Sequence, residues 1–419
     1  MNLKSLLFAG SALLGTTAAQ AGGFQVNLGG QKNIGMGGVG TGLAIDHAAM
    51  FYNPGALAMV RQNGVQVGAN ATFARISHVG ENGGTQSNLQ KDIVTPFNLY
   101  ASFGPAEGKW KAGIGVYTPF GSKLRYDQNW EGRTALTDID LKSIFVQPTV
   151  SYAITDQLSV GAGLVVLAYG SVNLQRDLPL TSAQGNAHSE LDGHADNTFG
   201  YNAGIYYKPS EKISVGVSYR SKMEAKVKGG DVTFTNIPAS VASNFAAKKF
   251  DVTLPLPPTA TLGIGLMPTE KLTIGIDVNW VDWSDYKTLD FTFDQPINGN
   301  TTSTSKREYD QGWTFRLGGQ YAIGEKLTVR AGANYDKTPV KDGFVSPETP
   351  DADRIGLSAG ASYNVNEHFG VDVSYLFEDF MKRTQSLAEL QAKGTADDRP
   401  AGTYKTYISI PGVGVHYNF

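Results

Sequence analysis

Alternation of apolar with small or polar residues dominates the chain after residue 60. Residues 158–161, 213–216 and 272–275 each repeat the order apolar, small, apolar, glycine. A period of two predicts β-strands whose two faces meet different surroundings. These three segments and a fourth at Leu327 begin 55, 59 and 55 residues apart. The repeating unit is therefore a strand, a long connection, a returning strand and a short turn.

Connections of two lengths alternate along the chain. Short turns, such as residues 154–157 and 323–326, are each followed by an alternating segment. Outer-membrane barrels have short turns on the periplasmic side and longer loops on the extracellular side. The predicted long loops lie near residues 121–137, 175–193, 228–250, 294–311, 338–353 and 380–403.

The last strand ends on Phe419, with Tyr417, Val415 and Val413 on the same face. A terminal aromatic residue with alternate apolar positions resembles the C-terminal signal of outer-membrane barrels. An edge strand of a secreted β-sandwich is the alternative, but it would not explain fourteen strands. We predict an all-β fold, a fourteen-stranded antiparallel transmembrane β-barrel over residues 61–419. Its strands begin near Gly64, Pro96, Lys109, Asp138, Leu158, Asp196, Ile213, Asp251, Leu272, Gly312, Leu327, Arg354, Phe369 and Tyr404.

Composition supports a barrel and removes several other classes. Gly accounts for 50 of the 419 residues, well above the average of about 7% in soluble proteins. Charged residues account for 17%, below the average of about 25%. No apolar stretch after the N-terminus approaches the ~18 residues of a membrane helix. The net charge of -3 gives no reason to expect a nucleic-acid partner. Because the chain has no Cys, it has no disulfide, thiol nucleophile or Cys-ligated metal.

The N-terminus has the order of a secretory signal peptide. Lys4 precedes an apolar stretch over residues 6–15, and small residues lead to Ala19-Gln20-Ala21. This apolar stretch is too short to span a bilayer, and the A-x-A ending is typical of a cleavage site. We assign residues 1–21 to a signal peptide and expect export to the bacterial outer membrane.

Residues 22–60 are rich in Gly and Ala and show no sustained alternation. The run Gly35-Met36-Gly37-Gly38-Val39-Gly40 matches a dinucleotide-binding pattern, but that motif needs a preceding strand in a βαβ unit. Barrels of about eight strands are filled by their own side chains, whereas larger barrels leave a lumen. We therefore predict that residues 22–60 form a hatch inside the barrel, where Gly and Ala let its backbone approach the wall.

Four motifs in this region resemble the hatch of the FadL family, outer-membrane transporters of long-chain fatty acids and related hydrophobic compounds. They are Gly23-Phe24-Gln25-Val26-Asn27, Gly35-Met36-Gly37-Gly38, Asp46-His47-Ala48 and Asn53-Pro54-Gly55-Ala56-Leu57. The family's Asn-Pro-Ala is Asn-Pro-Gly here, with Ala one place later.

The resemblance implies passive transport of a fatty acid or a similar hydrophobic molecule past a movable hatch. We expect a monomer without a cofactor, whose partners are this hydrophobic ligand and outer-membrane lipid. The residues of the hatch that carry the resemblance are Phe24, Asn53, Pro54 and Gly55.

Alternate residues of each strand face the lumen, and this parity of position predicts an apolar upper lumen, on the side of the long loops. A hydrophilic porin would have polar residues there, whereas an alkyl chain gains roughly 0.8 kcal/mol per buried methylene. The alternative is that these side chains fill the space between wall and hatch. The predicted ligand-facing residues are Leu141, Phe145, Val165, Leu167, Tyr169, Leu376, Ile408 and Ile410.

The same parity turns two arginines, Arg316 and Arg220, toward the upper lumen. The inward assignment has a physical basis, because charge is costly on the lipid face of a barrel. Either guanidinium could hold a carboxylate by charge-assisted hydrogen bonds. The alternative is a structural ion-pair network with the inward residues Asp277 and Asp372, which is the better interpretation for Arg330.

The third strand ends in Pro119, Phe120 and Gly121. Because Pro cannot donate to the ladder and Gly weakens it, we expect the pairing to break or bulge there. In the family, a kink in the third strand makes a lateral gap through which cargo enters the membrane. The alternative is that Pro119 marks the end of the strand.

The loop from residue 237 to 247 has apolar residues at helical spacing. The family captures ligand first in a groove formed by long extracellular loops. Ile237, Val241 and Phe245 could line such a groove, or they could pack within the loop itself.

We expect no enzymatic activity. Gly356-Leu357-Ser358-Ala359-Gly360 matches G-x-S-x-G, but it lies inside an alternating strand and not at a strand-turn-helix elbow. His188 and His194 share a loop with carboxylates that could bind a cation weakly, but a solvated loop is the better interpretation. The alternatives to fatty-acid transport are a channel for aromatic or other neutral hydrocarbons, and a structural or adhesive outer-membrane barrel.

Overall fold

The computed structural model describes residues 24–25, 27–81, 83–84, 86–105 and 108–419. The predicted signal peptide, residues 1–21, lies outside the described residues. The strands are β1 Gly64–Asn70, β2 Phe73–Gly80, β3 Gln86–Asn88, β4 Phe97–Phe103, β5 Trp110–Tyr117, β6 Ser122–Arg125, β7 Asp138–Ala153, β8 Leu158–Ser182, β9 Gly185–His194, β10 Thr198–Ser210, β11 Ile213–Arg220, β12 Met223–Thr235, β13 Lys249–Leu256, β14 Thr259–Thr269, β15 Leu272–Asp282, β16 Thr288–Ile297, β17 Asn300–Lys306, β18 Gln311–Ile323, β19 Leu327–Lys337, β20 Arg354–Asn364, β21 Phe369–Phe380, β22 Arg383–Gln385 and β23 Gly402–Asn418.

Fourteen of these strands form a closed antiparallel barrel, as predicted. Strands β1, β4, β5, β7, β8, β10, β11, β14, β15, β18, β19, β20, β21 and β23 each pair with the next. The register from Gly64↔Asn418 to Asn70↔Gly412 joins β1 to β23 and closes the wall. The eighth barrel strand begins at Thr259 and not at Asp251, because Pro257 and Pro258 separate it from β13.

The outer surface of the barrel is apolar between two rings of aromatic side chains. Leu262, Phe315 and Leu357 are exposed on this face. In each of their strands the neighbouring residues on either side point inward. Aromatic girdles flank the lipid-facing band of outer-membrane barrels. Near the short turns the exposed aromatic residues include Trp110, Tyr152, Tyr207, Tyr321, Tyr363 and Tyr417, and near the long connections they include Phe73, Phe199, Tyr219, Trp313 and Tyr407.

Three of the six stretches predicted as long loops, 175–193, 228–250 and 294–311, contain strands of a further sheet. The stretch predicted as a loop over 175–193 contains the end of β8 and most of β9, which pair side by side. Strands β9, β12, β13, β16 and β17 continue this pairing in order, and we call the resulting sheet the upper extension. Its strands are exposed to water on one side, so their apolar residues are sparse and the stretches read as polar loops.

The N-terminal residues lie inside the barrel, and we call residues 24–25 and 27–60 the inner segment. It contains two short α-helices, α1 Gln31–Ile34 and α2 Ala49–Tyr52, and a 3₁₀-helix over Pro54–Met59. A further helix, α3 Leu387–Lys393, lies in the last long connection. Among the described helices none has the length and apolar character of a membrane span.

Glycines of the wall allow the inner segment to touch it backbone to backbone. A Cβ atom at Gly216 would lie 1.9 Å from the carbonyl oxygen of Thr41, and one at Gly318 would lie 2.0 Å from that of Met36. Any side chain at these two positions would displace the inner segment. The lumen-facing glycines therefore hold the inner segment close and do not leave open space.

Candidate functional site

An apolar cavity of about 200 Å³ lies between the inner segment and the upper extension. Its wall comes from strands β7 to β9, β12, β13 and β16, whose inward positions are aliphatic or aromatic. Cavities of this kind are the usual binding sites for small hydrophobic ligands. The apolar lining includes Leu141, Leu167, Val172, Leu174, Leu191, Val227, Phe234, Val252, Leu254, Leu256, Leu289, Phe291, Phe293 and Ile297.

An aromatic cluster that includes Phe24 of the inner segment forms one side of this cavity. The ring centroid of Phe24 lies 4.9 Å from that of Trp283, 6.2 Å from that of Tyr286 and 6.1 Å from that of Phe120. Phe24, Tyr286 and Phe120 all line the cavity. The first described residue of the inner segment is therefore in direct contact with whatever occupies the cavity.

Charged residues from β8 and the long connections line another side of the cavity. Arg307 is buried and forms an ion pair with Glu348, and Asp398 accepts a hydrogen bond from the Ser305 hydroxyl. Burial alone would raise the pKa of the Glu348 carboxyl, but the neighbouring Arg307 guanidinium holds it below its usual range. Both partners of this pair are therefore charged at neutral pH.

Arg176 completes this charged group. Its side chain lines the cavity and is half-buried, and it makes no hydrogen bond or ion pair with any residue that the structure describes. Arg399, behind the lining, lies 3.2 Å from Asp398. Three guanidinium groups therefore face the two carboxylates of Glu348 and Asp398, and one positive charge is uncompensated.

Four of the predicted ligand-facing residues of β7 and β8 point inward. Leu141 and Leu167 line the cavity. Phe145 and Val165 are buried within the same apolar core. The inward assignment of Tyr169 is wrong: this side chain is 41% exposed on the opposite face. The register of β7 with β8 skips Ala168, and this bulge reverses the parity of the residues that follow.

Leu376, Ile408 and Ile410 point inward but lie away from the cavity. They form a separate buried cluster with Leu28 and Ile34 of the inner segment. Side chains at these three positions therefore fill the space between wall and inner segment, which is the alternative that the sequence left open.

The Arg220 side chain is hydrogen-bonded to the inner segment and to neighbouring residues of the wall. Its guanidinium donates to the Tyr117 hydroxyl at 2.7 Å, to the Gln147 side-chain oxygen at 3.3 Å and to the Phe51 carbonyl at 3.3 Å. It also lies over the rings of Phe51 and Tyr117. The side chain does not belong to the cavity lining.

Arg316 is buried beside the inner segment, at Gly38, and is also absent from the cavity lining. It is the direct cross-strand neighbour of Asp277. One carboxylate oxygen of Asp277 accepts hydrogen bonds from the backbone amides of Gly40 and Thr41 at 2.9 and 3.0 Å. This pair of wall residues therefore lies where the wall is hydrogen-bonded to the inner segment. A carboxylate-binding role for Arg316 or Arg220 stays a prediction.

Arg330 lies in a polar network of the wall. It donates to Ser362 at 2.6 Å and to Gln320 at 3.1 Å, and Ser362 donates in turn to Asp372. Asp372 also lies 2.8 Å from His416. Arg330 therefore belongs to a structural network that reaches Asp372 through Ser362, whereas Asp277 lies opposite Arg316 and takes no part in it.

Asn53 ties the inner segment together and to the wall. Its side-chain amide donates to the carbonyls of Thr41 and Ile205, and its oxygen accepts from the Gly55 amide. Pro54 then starts the 3₁₀-helix, where a missing amide proton costs nothing. A Cβ at Gly55 would lie 2.6 Å from the Gly204 carbonyl oxygen. The departure from Asn-Pro-Ala therefore removes a methyl group for which this wall has no room.

The third barrel strand breaks at Pro119–Gly121, between β5 and β6. Pairing with β7 runs to Tyr117↔Phe145 and resumes only at Ser122↔Leu141. Across this break the Ser143 hydroxyl bonds both the amide and the carbonyl of Phe120, and Gly121 donates to the Phe24 carbonyl at 3.2 Å. The wall is therefore held here by one side chain and by the inner segment.

The predicted capture loop contains a short 3₁₀-helix, Ala239–Asn244. Phe245 is buried and its ring packs on Phe234, which lines the cavity. Ile237 and Val241 are half-buried and lie outside the cavity lining. Phe245 thus supports the cavity wall from behind.

Sequence reasoning missed the charged residues of the cavity. Arg176, Arg307, Glu348 and Asp398 all fall in stretches that were predicted as solvated loops. The available signal was the alternation of Leu174, Arg176 and Leu178, which places all three on one face of a strand.

A closed barrel with an occupied lumen and an apolar cavity above it defines a membrane channel of the outer-membrane β-barrel class. The chain belongs to the family described as outer membrane protein transport protein (OMPP1/FadL/TodX), whose profile matches residues 12–419. Members of this family are outer-membrane transport proteins and not enzymes. The protein is therefore an outer-membrane transport protein.

Relatives match the chain almost end to end at low identity. Outer membrane protein P1 of Haemophilus influenzae is 24% identical, over 99% of this chain and 98% of its own length. The long-chain fatty acid transport protein of Salmonella typhi is 24% identical, over 94% of this chain and 96% of its own length.

Solved structures share the fold. A Pseudomonas aeruginosa FadL homologue superposes with a TM-score of 0.81 at 20% identity, covering 95% of this chain and all of its own. The Ralstonia pickettii toluene transporter TbuX superposes with a TM-score of 0.67 at 18% identity, covering 93% of this chain and 98% of its own.

Proposed function

We propose that the protein carries a long-chain fatty acid, or a similar amphiphile with one acidic group, across the outer membrane without energy input. The observation that supports this is the cavity, which joins an apolar wall to a group of charged residues with one uncompensated guanidinium. The alkyl chain contacts the aliphatic wall, at roughly 0.8 kcal/mol per buried methylene. Arg176 binds the carboxylate by charge-assisted hydrogen bonds.

Release follows from the contact between Phe24 and the cavity. A ligand that fills the cavity competes with the Phe24 ring for the aromatic cluster of Trp283 and Tyr286. Displacement of Phe24 also weakens the bond from Gly121 to its carbonyl and loosens the broken wall at Pro119–Gly121. The inner segment acts as a movable hatch, and the ligand leaves through this lateral opening into the membrane.

A channel for neutral aromatic or aliphatic hydrocarbons is the second candidate. The same apolar wall would serve it, and one solved structure of the same fold is described as a toluene transporter. Such a channel gains nothing from the uncompensated charge of Arg176, so the two candidates differ at this residue.

The test compares oleate with its neutral methyl ester in the wild type and in Arg176→Gln. A charge-assisted hydrogen bond predicts about tenfold or larger loss of oleate affinity in the variant, with unchanged affinity for the ester. Arg220→Gln and Arg316→Gln are the matched controls, because their guanidinium groups lie outside the cavity lining. Equal loss for both ligands, or a loss confined to the controls, would reject Arg176 as the clamp.

The lateral exit is tested separately. Replacing Pro119 and Gly121 together by Val restores the missing amide donor and favours strand conformation, so that β5 and β6 can pair with β7 across a one-residue bulge. We expect oleate binding to persist while uptake into cells falls about tenfold or more. Uptake at the wild-type rate would show that the ligand leaves by another path.

A further inference from the structure

Arg75 lies on the outer surface of the wall, where β2, which continues the line of β1, pairs with the last strand, β23. Strands β2 and β23 pair with the register Phe73↔Ser409, Arg75↔Tyr407 and Ser77↔Lys405. Ile76 and Ile408, on the alternate positions, are buried inside. Arg75 therefore points away from the lumen, on the same face as the exposed Phe73 and Tyr407.

The height of Arg75 relative to the membrane follows from its neighbours on this face. Phe73 and Tyr407 belong to the upper aromatic ring, which marks the boundary between acyl chains and head groups. Arg75 is directly across from Tyr407 and two residues beyond Phe73 toward the upper extension, which is about 7 Å along the strand. Its guanidinium lies at the level of lipid head groups in the outer leaflet.

The side chain of Arg75 has no hydrogen bond or ion pair with any residue that the structure describes. Two other outward cations near this level are paired within the protein: Lys222 with Asp285 and Lys287 with Glu308. A cation at this level costs little by itself, and an unpaired guanidinium there can bind an anionic head group by charge-assisted hydrogen bonds. Because no described residue pairs with the Arg75 guanidinium, it is available to the phosphates of the outer-leaflet head groups.

A second cation lies beside Arg75. Lys405 lies on β23, two residues before Tyr407 and on the same outward face. It is diagonal to Arg75 across the strand pair, a separation of roughly 7 Å between Cβ atoms. Its ammonium lies 4.5 Å from the centre of the Tyr407 ring and is held by Asp379 and by the Phe380 carbonyl. The two cations thus flank one aromatic ring, and a single carboxylate, Asp379, balances one of them.

We propose that Arg75, supported by Lys405 and Tyr407, binds the phosphate group of a phosphorylated lipid in the outer leaflet. The planar guanidinium matches two phosphate oxygens with two parallel hydrogen bonds. An acyl chain of the same lipid runs down the wall over Phe73. The bound lipid sits on the seam that closes the barrel, on the opposite side of the wall from the transport cavity.

The experiment uses the full chain purified in detergent and native mass spectrometry with two probes, bis-phosphorylated lipid A and the same lipid without phosphates. Wild type should retain the phosphorylated probe at least about tenfold better than the other, and Arg75→Gln should lose most of that preference. Arg75→Lys should keep part of it. Lys249→Gln, which removes a cation paired with Asp231 in the upper extension, should keep all of it.

Two outcomes would overturn the proposal. Equal retention of the two probes by the wild type would show that phosphate is not recognised, and unchanged preference in Arg75→Gln would place recognition elsewhere. Millimolar inorganic phosphate distinguishes a lipid from a free anion: if it displaces the lipid completely at this concentration, the site is for free phosphate. Folding of each variant is checked by its heat-dependent mobility on a denaturing gel, and oleate uptake should be the same as that of the wild type.

Discussion

The lower and upper halves of the lumen are filled in different ways. In the lower half, the inner segment touches the wall through backbone atoms, as at Thr41 against Gly216 and Met36 against Gly318. In the upper half, side chains such as Leu174 and Leu254 approach from the wall and leave a cavity of about 200 Å³ between them. The lower half is filled by the inner segment, which polar groups hold in place, and the upper half contains an unfilled apolar cavity.

Under the proposed function, this difference separates the part of the lumen that closes the barrel from the part that binds a ligand. Backbone groups of the inner segment must keep hydrogen-bond partners once they are removed from water, so their contacts with the wall are directional and specific. Apolar contacts in the cavity have no such requirement, because burial of alkyl surface is not directional. Under the proposed function, the lower half holds the inner segment tightly while a ligand enters and leaves the upper half.

The largest effect is expected from a methyl group added between wall and inner segment. In Gly318→Ala the new Cβ would lie 2.0 Å from the Met36 carbonyl oxygen, and a backbone atom cannot move aside cheaply. We expect a loss of about 3 kcal/mol in the free energy of unfolding. The inner segment should also fit less tightly, so that proteoliposomes admit small sugars in a swelling assay.

Gly312→Ala is the matched control on the same strand. The nearest atom to its Cβ is 3.7 Å away, an ordinary contact distance. This variant should unfold like the wild type and stay impermeable to sugars. Similar damage in both variants would mean that strand geometry, and not contact with the inner segment, explains the glycines.

The second prediction concerns the polar grip on the inner segment. Asp277→Asn keeps the shape of the side chain but removes the charge that accepts from the amides of Gly40 and Thr41 and faces Arg316. We expect a cost of about 2 kcal/mol, since hydrogen bonds to a charged group are stronger than neutral ones. Hydrogen exchange at these two amides should accelerate.

Asp282→Asn provides the control, because Asp282 lies on the same strand and its carboxylate accepts hydrogen bonds only from Ser284 among the described residues. Exchange at the amides of Gly40 and Thr41 should be unchanged in this variant. If Asp277→Asn also leaves their protection unchanged, the carboxylate does not hold the inner segment.

Much of the barrel could be predicted from sequence because each residue of a strand has only two possible directions. The unbroken alternation from Trp313 to Tyr321 placed Arg316 inside correctly. The same reasoning failed at Tyr169, because a bulge at Ala168 shifts parity and leaves no mark in the local pattern. Parity predicts direction reliably only where the ladder is regular.

The candidate site was predicted only in part, because parity gives the direction of a side chain and not its height or its neighbour. Leu141 and Leu376 both point inward, yet one lines the cavity and the other packs on the inner segment. Arg176 was missed because it lies in a strand outside the membrane, where sparse apolar residues resemble a loop. The position of the inner segment depends on contacts across several hundred residues, which no local pattern contains.

A third prediction concerns a larger side chain that fills part of the cavity. In Leu254→Trp the larger side chain occupies part of the cavity that a ligand would use. We expect about tenfold weaker oleate binding, because methylenes that lose their contact with the wall lose roughly 0.8 kcal/mol each. The melting temperature should hardly change, since the new ring enters unfilled space. Leu262→Trp, on the exposed lipid face, is the control and should bind oleate normally.

The smallest effect is expected at the outer rim, where Lys222 and Asp285 form an exposed ion pair at 2.7 Å. Water screens this pair, so Lys222→Gln should change the free energy of unfolding by less than about 0.5 kcal/mol. It should leave both oleate affinity and the exchange of the Gly40 amide unchanged. A loss comparable to that of Asp277→Asn would mean that the rim and the grip on the inner segment are coupled. The two halves of the lumen could then no longer be treated as independent.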